Sequence, residues 1–593
     1  MRNQVTAQAL PDAESLTIDP DNYYRQVLHG YYQFDCVVEE GTVRSAKFYI
    51  PENTVFNQPT VFVAVPDGEE SWDFLVKSGW KQMADERQIC VVLMEPENGC
   101  WENGEKDIAY ITALNEDVSF RPFFCAFSSN FYGAAYGKAA DVLGKQSRMY
   151  PKCWAGLALL GGTGMTEEEV RFLETKETKV PGVTYSQVQM PVWIAAPEKE
   201  EPVDRELAFY RNGDHSRNGS TEEDGREIWD PEEGGTPDEH WCARVVFDRR
   251  EWTDCLGYDY DRRIWDTVFA GVYRYPGNRN GALRRNRDIR SRGFQKFSEK
   301  VAGGFYEDGR DSYRREWWVY LPESADPSKP VPAVFVFHGA GGSCDEIADR
   351  SGWAWVAEKY GFLIICPGAS VPNRARHVSN MVTNEMFRSM WNTGNPQAER
   401  PSDMLFIDYL YRWLTEHYNV DRSRIYASGQ SSGGMMSWAC AAYRPDYFAA
   451  VAPVSAKCID IESEQPNPPA DGSIIPVMSN LGLEDGTFKG GFGTEDAKAL
   501  IDHWCSRFHL EPGWDGYTYA DGGKNCSFQD GLFTNYLFQT KAGVPILRCV
   551  EAATKAHAIW PSECEMAWTQ WFSRFAKDPE TKELYYEGKK VEI

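Results

Sequence analysis

The 593-residue chain carries one plan twice, and this limits its possible folds more than any single motif. "KFYIPENTVFNQPTVFVAVPDG" (47–68) parallels "WVYLPESADPSKPVPAVFVFHGAG" (318–341), and "SGW" at 78–80 returns at 351–353. "ICVVLMEP" then answers "GFLIICPG", "CWAGLALLGG" answers "YFAAVAPVSA", and "MPVWIAAPEKE" answers "IPVMSNLGLED". Between these pairs "FFCAFSSNFYGAAYGKAA" (123–140) aligns with "IYASGQSSGGMMSWACAA" (425–442). Short apolar runs, each followed by a helix-compatible stretch, are the pattern of βαβ units on a parallel sheet buried on both faces. The expectation is an α/β chain of two tandem domains, each a mostly parallel sheet flanked by helices.

Length agrees, since a chain this long exceeds what one core can organise. The boundaries read as residues 1–280 and 296–593, joined by a linker at 281–295 within the Arg-, Asn- and Gly-rich "YPGNRNGALRRNRDIRSRGFQ". A polar, acidic insert near 198–240 lacks apolar periodicity and reads as a surface loop; its Asn218-Gly219-Ser220 sequon matters only in a secreted protein. A formal charge of −26 excludes an electrostatically driven nucleic-acid partner. No apolar run reaches the ~20 residues of a membrane span, and the start has no hydrophobic core of a secretory leader. Fifteen scattered cysteines, Cys366 and Cys440 among those in apolar runs, read as free thiols in a reducing compartment, so the expected location is cytoplasmic.

The chemistry is concentrated in "RIYASGQSSGGMMSWACA" (424–441). An apolar strand meets Gly429-Gln430-Ser431-Ser432-Gly433, a G-x-S-x-G frame, and a helical run follows at once. That frame is a nucleophile elbow, a sharp turn that exposes the central serine hydroxyl. Ser431 has glycine at both −2 and +2; Ser432 does not. A serine needs a base, and in this arrangement the acid and then the histidine follow it in the chain. Only His503, His509 and His557 come after Ser431. The first two lie in or near an amphipathic helical pattern, whereas His557 follows the apolar "PILRCVE" and a short loop. The acid should end the intervening strand, where Asp485 is preferred to its neighbour Glu484. Oxyanion donors are expected from the backbone N–H of Ser432 and from the loop after "VFVFHG", at Ala340 or alternatively Gly341. His338, which precedes the serine, reads as a prop for that loop. There is no H-E-x-x-H and no Cys/His cluster, so neither metal nor other cofactor is expected.

The first half reads as a silent copy. Its alignment puts Asn130 or Ser129 at the nucleophile position, with bulky Phe131 or Tyr132 at +2. The loop "VFVAVPDG" lacks the His-Gly-Ala-Gly-Gly run, and His215 and His240 fall in the insert.

With these residues in place, the second half, from about 300 to 575, resembles the polyhydroxybutyrate depolymerase-like and feruloyl-esterase-like branch of the α/β-hydrolases. The resemblance rests on "VFHGAGG", on "SMWN" at 389–392, on "NVDRSRIYASGQSSGGMMSWACAAYRPDYFAAVAPVSA" and on "HAIWP". It departs around the base, where Ala556 precedes the histidine and Ala558-Ile559 separates it from Trp560-Pro561. The resemblance implies two tandem α/β-hydrolase-like domains, the first degenerate, and a cofactor-free serine esterase. It further implies a small-molecule ester substrate, with Trp391 and Trp560 walling the acyl pocket. No nucleic-acid or membrane partner is expected, and a homo-oligomer is compatible. A peptidase or amidase with the same triad, and a non-catalytic binding protein on this fold, are the competing readings.

Overall fold

The computed structural model describes residues 8–9, 30–39, 42–52, 58–102, 104–119, 126–286, 289, 292–303, 311–370, 389–393, 401–457, 474–510 and 525–592. They fall into two compact units, one running to Asn286 and the other from Ile289 onward.

The first unit contains β1 (Gln8–Ala9), β2 (Gly30–Glu39), β3 (Thr42–Ile50), β4 (Gln58–Ala64), β5 (Cys90–Met94), β6 (Ala126–Tyr136) and β7 (Gly156–Leu160). It continues with β8 (Val192–Ala196), β9 (Thr221–Glu223), β10 (Arg226–Trp229), β11 (Val245–Arg249) and the hairpin β12 (Val272–Tyr275) and β13 (Ala282–Arg285). Its main sheet runs β1-β2-β3-β5-β4-β6-β7-β8-β11-β10-β9. The second unit contains β14 (Gln295–Ala302), β15 (Ser312–Tyr320), β16 (Val331–Phe337), β17 (Leu363–Pro367), β18 (Val420–Gln430), β19 (Ala450–Val454) and β20 (Val477–Gly482). Then come β21 (Asn525–Asp530), β22 (Phe533–Gln539), β23 (Pro545–Ala552) and a small C-terminal sheet of β24 (Phe575–Lys577), β25 (Leu584–Tyr586) and β26 (Lys589–Lys590). Its main sheet runs β14-β15-β17-β16-β18-β19-β20-β23-β22-β21. Apart from β1, the two orders are the same, and so is every parallel or antiparallel pairing.

Both faces of each sheet are covered, which is why the central strands read as unbroken apolar runs. In the first unit Phe62, Val92 and Phe131 enter the core on one face, while Val61, Val63, Val91 and Tyr132 enter the core on the other. The repeated "SGW" is a shared joint between two helices. Gly79 and Gly352 take left-handed φ of 104° and 89°, and Trp80 and Trp353 are fully buried beside them.

Two expectations are corrected. The acidic insert is not a loop: residues 201–213 form a helix that buries Val203, Leu207, Phe209 and Tyr210, and β9 and β10 extend the sheet. Its dense charge, which includes the fully buried Glu206, hides the apolar spacing. Strands β9 and β10 occupy the same sheet positions as β21 and β22, so they belong to the shared plan. The segment expected as linker is also partly structured, because β13 pairs with β12 and Leu283 accepts from the His240 amide at 2.9 Å.

Candidate active site

The elbow forms where β18 runs into the helix Ser432–Tyr443. Ser431 holds φ 57° and ψ −119°, a conformation that a non-glycine residue adopts only under constraint. Its amide donates to Val454 O on β19 at 2.9 Å, and its carbonyl accepts from Met435 N at 2.9 Å. Glycine at +2 is a matter of space: a Cβ on Gly433 would lie 2.2 Å from Phe337 O. The two serines part here. The Ser432 hydroxyl is buried and accepts from Trp391 N at 3.2 Å, whereas Ser431 is half-buried at the turn.

Asp485 and His557 meet, with Asp485 Oδ2 2.8 Å from His557 Nδ1. The other carboxylate oxygen accepts from Thr487 N at 2.8 Å and Phe488 N at 3.3 Å. Burial alone would raise the Asp485 carboxyl. The His557 hydrogen bond and charge, with those two amides, outweigh it and hold the group below its ordinary value. Glu484 is exposed and turns away, its amide donating to Lys555 O at 3.0 Å. His503 and His509 are exposed on and just past the helix Glu495–Arg507. The His557 loop is brought beside the elbow by Gln430 Nε2, 3.4 Å from His557 O, and by Ser455 Oγ, 3.0 Å from Ala558 O. Among the described residues Ser431 Oγ and His557 make no direct hydrogen bond; such contacts are often long before substrate arrives.

The oxyanion loop follows β16. Gly341 N is engaged with Ser389 O at 2.8 Å and Gly342 N with Gly339 O at 3.0 Å. Neither Ala340 N nor Ser432 N donates a hydrogen bond among the described residues, whereas Gly341 N is already engaged. His338, fully buried, accepts from Ala369 N at its Nε2 (2.9 Å), so the proton sits on Nδ1, which donates to Gly339 O at 2.7 Å. Trp391 is 4% exposed and acts as a strut: its indole N–H donates to His338 O at 2.8 Å. The strut is anchored by Asn392 N on Asp403 Oδ2 (2.5 Å) and by Arg315 on Asp403 Oδ1 (2.6 Å), all buried. Trp560, 6% exposed, packs edge-on against Phe533. Neither tryptophan presents a broad open wall. Sequence reading missed Arg315 and Asp403, which no local pattern distinguishes from ordinary surface charge, and gave Gln430 no role beyond its place in the elbow frame.

Burial lowers His338 to about 4 from an ordinary 6.5. The unfolded chain therefore binds this proton first as pH falls. Stability from this site is complete above about 6.5 and is lost between there and about 4, by about 3 kcal/mol. His338→Gln should flatten the pH dependence of urea unfolding over that interval; an unchanged slope would refute the lowered basicity of the buried imidazole.

The first unit departs from this site in a way the sequence alignment misplaced. Register with β4 and β7 makes Phe131 the counterpart of Ile425 and Tyr136 that of Gln430. Gly137, not Asn130 or Ser129, therefore stands at the nucleophile position. It has φ 59°, and its amide donates to Leu160 O as Ser431 does to Val454 O. Ala135 and Ala139 stand at −2 and +2, so the elbow is not crowded as expected; it simply lacks a hydroxyl. Asp67 and Lys138, the counterparts of Ala340 and Ser432, both contact the Cys100 thiol, at 3.1 and 3.6 Å. A Cβ on Gly137 would lie 3.5 Å from the Trp252 indole. A polar cavity in this unit is lined by Arg44, Ser45, Ser71 and Glu95, but Glu95 already receives Ser45, Ser71 and Lys47.

Among the described residues no group of three or more His, Cys, Asp or Glu could hold a metal, and no helix is long and apolar enough to cross a membrane. Residues 313–503 match the model of the Esterase family. Acetylxylan esterase A of Emericella nidulans is 29% identical over 204 residues, 33% of this chain and 62% of its own. Acetylxylan esterase A of Aspergillus oryzae is 27% identical over 153 residues, 25% and 45% of the two chains. Feruloyl esterase B of Thermothelomyces thermophilus is 30% identical over 147 residues, 24% and 45%. The chain thus spans between 45% and 62% of these relatives' lengths. A solved acetyl xylan esterase from Aspergillus awamori aligns with TM-score 0.33 at 18% identity, over 47% of this chain and 99% of its own. The second unit is thus a mostly parallel sheet flanked by helices that brings Ser431, Asp485 and His557 to one end, and it is similar in sequence to the Esterase family over residues 313–503.

Proposed function

We propose that the second unit is a serine carboxylic-ester hydrolase acting through an acyl-enzyme on small, aryl or hydroxyacyl esters. The observation that carries this is the Asp485–His557 hydrogen bond of 2.8 Å, beside a serine held at φ 57°. His557, its Nδ1–H held by Asp485, takes the Ser431 proton at Nε2 as Oγ adds to the ester carbonyl. The oxyanion receives the amides of Ala340 and Ser432, which a preorganised backbone offers without reorganisation. His557 then protonates the leaving alcohol, and water attacks the acyl-enzyme by the reverse proton path.

Support for an apolar acyl or aryl group comes from large side chains exposed beside each site element: Met390 next to Trp391, Met435 in the first turn after the elbow, and Leu483 before the acid. Amide hydrolysis uses the same steps, so a panel of p-nitrophenyl acyl, feruloyl and peptide substrates tests the reading. Ester turnover should exceed peptide turnover by more than about 100-fold, roughly 2.7 kcal/mol of barrier; comparable rates would favour the amidase reading, and no turnover the binding protein. The first unit is read as catalytically silent, because Gly137 supplies no nucleophile and Trp252 stands over it.

A further inference from the structure

We infer that the buried ion pair Lys555–Glu563 is a positioning device that aims His557 at Ser431. This rests on the hydrolase reading above. The pair brackets the histidine in the chain, two residues before it and six after. Lys555 Nζ lies 2.6 Å from Glu563 Oε1, with both side chains 0% exposed. The second oxygen, Glu563 Oε2, accepts from Trp560 N at 2.9 Å. One carboxylate therefore ties the start of the His557 loop to its end and to the first turn of the helix Pro561–Gln570.

The rest of the loop is fixed to the acid. Lys555 O accepts from Glu484 N at 3.0 Å, and Ala552 O accepts from Leu483 N at 3.0 Å. The approach is so close that a Cβ on Gly482 would lie 2.3 Å from Lys555 O. Thr554, a β-branched residue, sits at φ 59° immediately before the lysine. Such a conformation persists only where its surroundings over-determine it. An ion pair buried this deeply is seldom the most stable filling for its space, since apolar residues of similar volume often serve as well. Its location instead fixes geometry. It closes the histidine loop at both ends while the backbone bonds above join that loop to the Asp485 loop, and misplacement of a reacting group by about 1 Å can cost about 100-fold in rate.

The test uses the full chain with both partners replaced, so that no charge is left buried alone. Lys555→Met/Glu563→Met removes the pair and the acceptor for Trp560 N; Lys555→Met/Glu563→Gln removes the charges and keeps an acceptor. With p-nitrophenyl acetate, kcat should fall about 100-fold in the first variant and about 10-fold in the second, with KM within about twofold. The downfield Nδ1 proton resonance of His557, assigned by its loss in His557→Gln, should weaken in the same order. A folded variant with unchanged kcat and resonance would overturn the proposal, as would a change confined to KM. Failure of both variants to fold would overturn it too, because the pair would then hold the fold and not the histidine. A wild-type chain that turns over no ester but shows the resonance would refute the hydrolase reading alone, leaving the resonance to decide this one.

Discussion

Ser431→Ala should lower kcat by on the order of a million-fold, and Ser432→Ala by less than about tenfold. The two residues are adjacent, yet the difference follows from what each hydroxyl does. Ser431 stands on the turn with its backbone held from both sides by Val454 O and Met435 N. The Ser432 hydroxyl faces inward and accepts from Trp391 N. Its larger contribution is a backbone N–H, which alanine keeps. Loss of the Trp391 contact should appear as a modest loss of oxyanion stabilisation, because the same tryptophan holds His338 O. A fluorophosphonate should label the wild-type chain once, at Ser431, and the Ser431→Ala chain not at all. A labelled serine among residues 1–280 would show that the first unit is an enzyme in its own right. A reversed ranking of the two alanine variants would show that the elbow frame is displaced by one residue.

The second unit was legible because its chemistry is written locally. A strand, a G-x-S-x-G frame and a helix are contiguous, and chain order then leaves three histidines, of which two lie in one helical pattern. The alternation of strand and helix carried the architecture, including the repeat. The same approach failed at the first elbow, where Ser129 and Asn130 resemble the missing serine more than Gly137 does. Only the pairing of β6 with β4 and β7 reveals that the strand continues seven residues further. Sequence similarity favours matching polar residues; sheet register does not depend on them. The acidic insert misled for a related reason, since its charges outnumber the few apolar residues that hold its helix in the core. Long-range struts were invisible altogether. Arg315 and Asp403 carry no local pattern, Asn392 stands in "SMWN" without its partner being marked, and only the fold makes them one chain of contacts to the loop after β16.

Asp485→Asn should lower kcat by about 10,000-fold while Glu484→Gln changes it little. The reason lies in how the Asp485 carboxylate is already engaged. Oδ1 accepts two backbone amides, from Thr487 and Phe488, and Oδ2 faces His557 Nδ1. An asparagine can satisfy those amides only with its carbonyl oxygen, which turns its NH2 toward the imidazole. Nδ1 must then accept, so the neutral ring carries its proton on Nε2, the nitrogen that has to receive the Ser431 proton. The substitution thus keeps the shape of the site and inverts the tautomer, besides removing the charge that steadies the imidazolium. Glu484 is exposed, and its amide already serves the histidine loop through Lys555 O, a contact that glutamine preserves. The sign of the acid's shift supports the same assignment. Its carboxyl is held below the ordinary value, so it stays ionised as pH falls through the weakly acidic range, and its stabilising contribution is lost only below the ordinary carboxylate value. Measuring kcat and kcat/KM for the two variants side by side decides the matter, and a larger loss in Glu484→Gln would transfer the role of acid to Glu484.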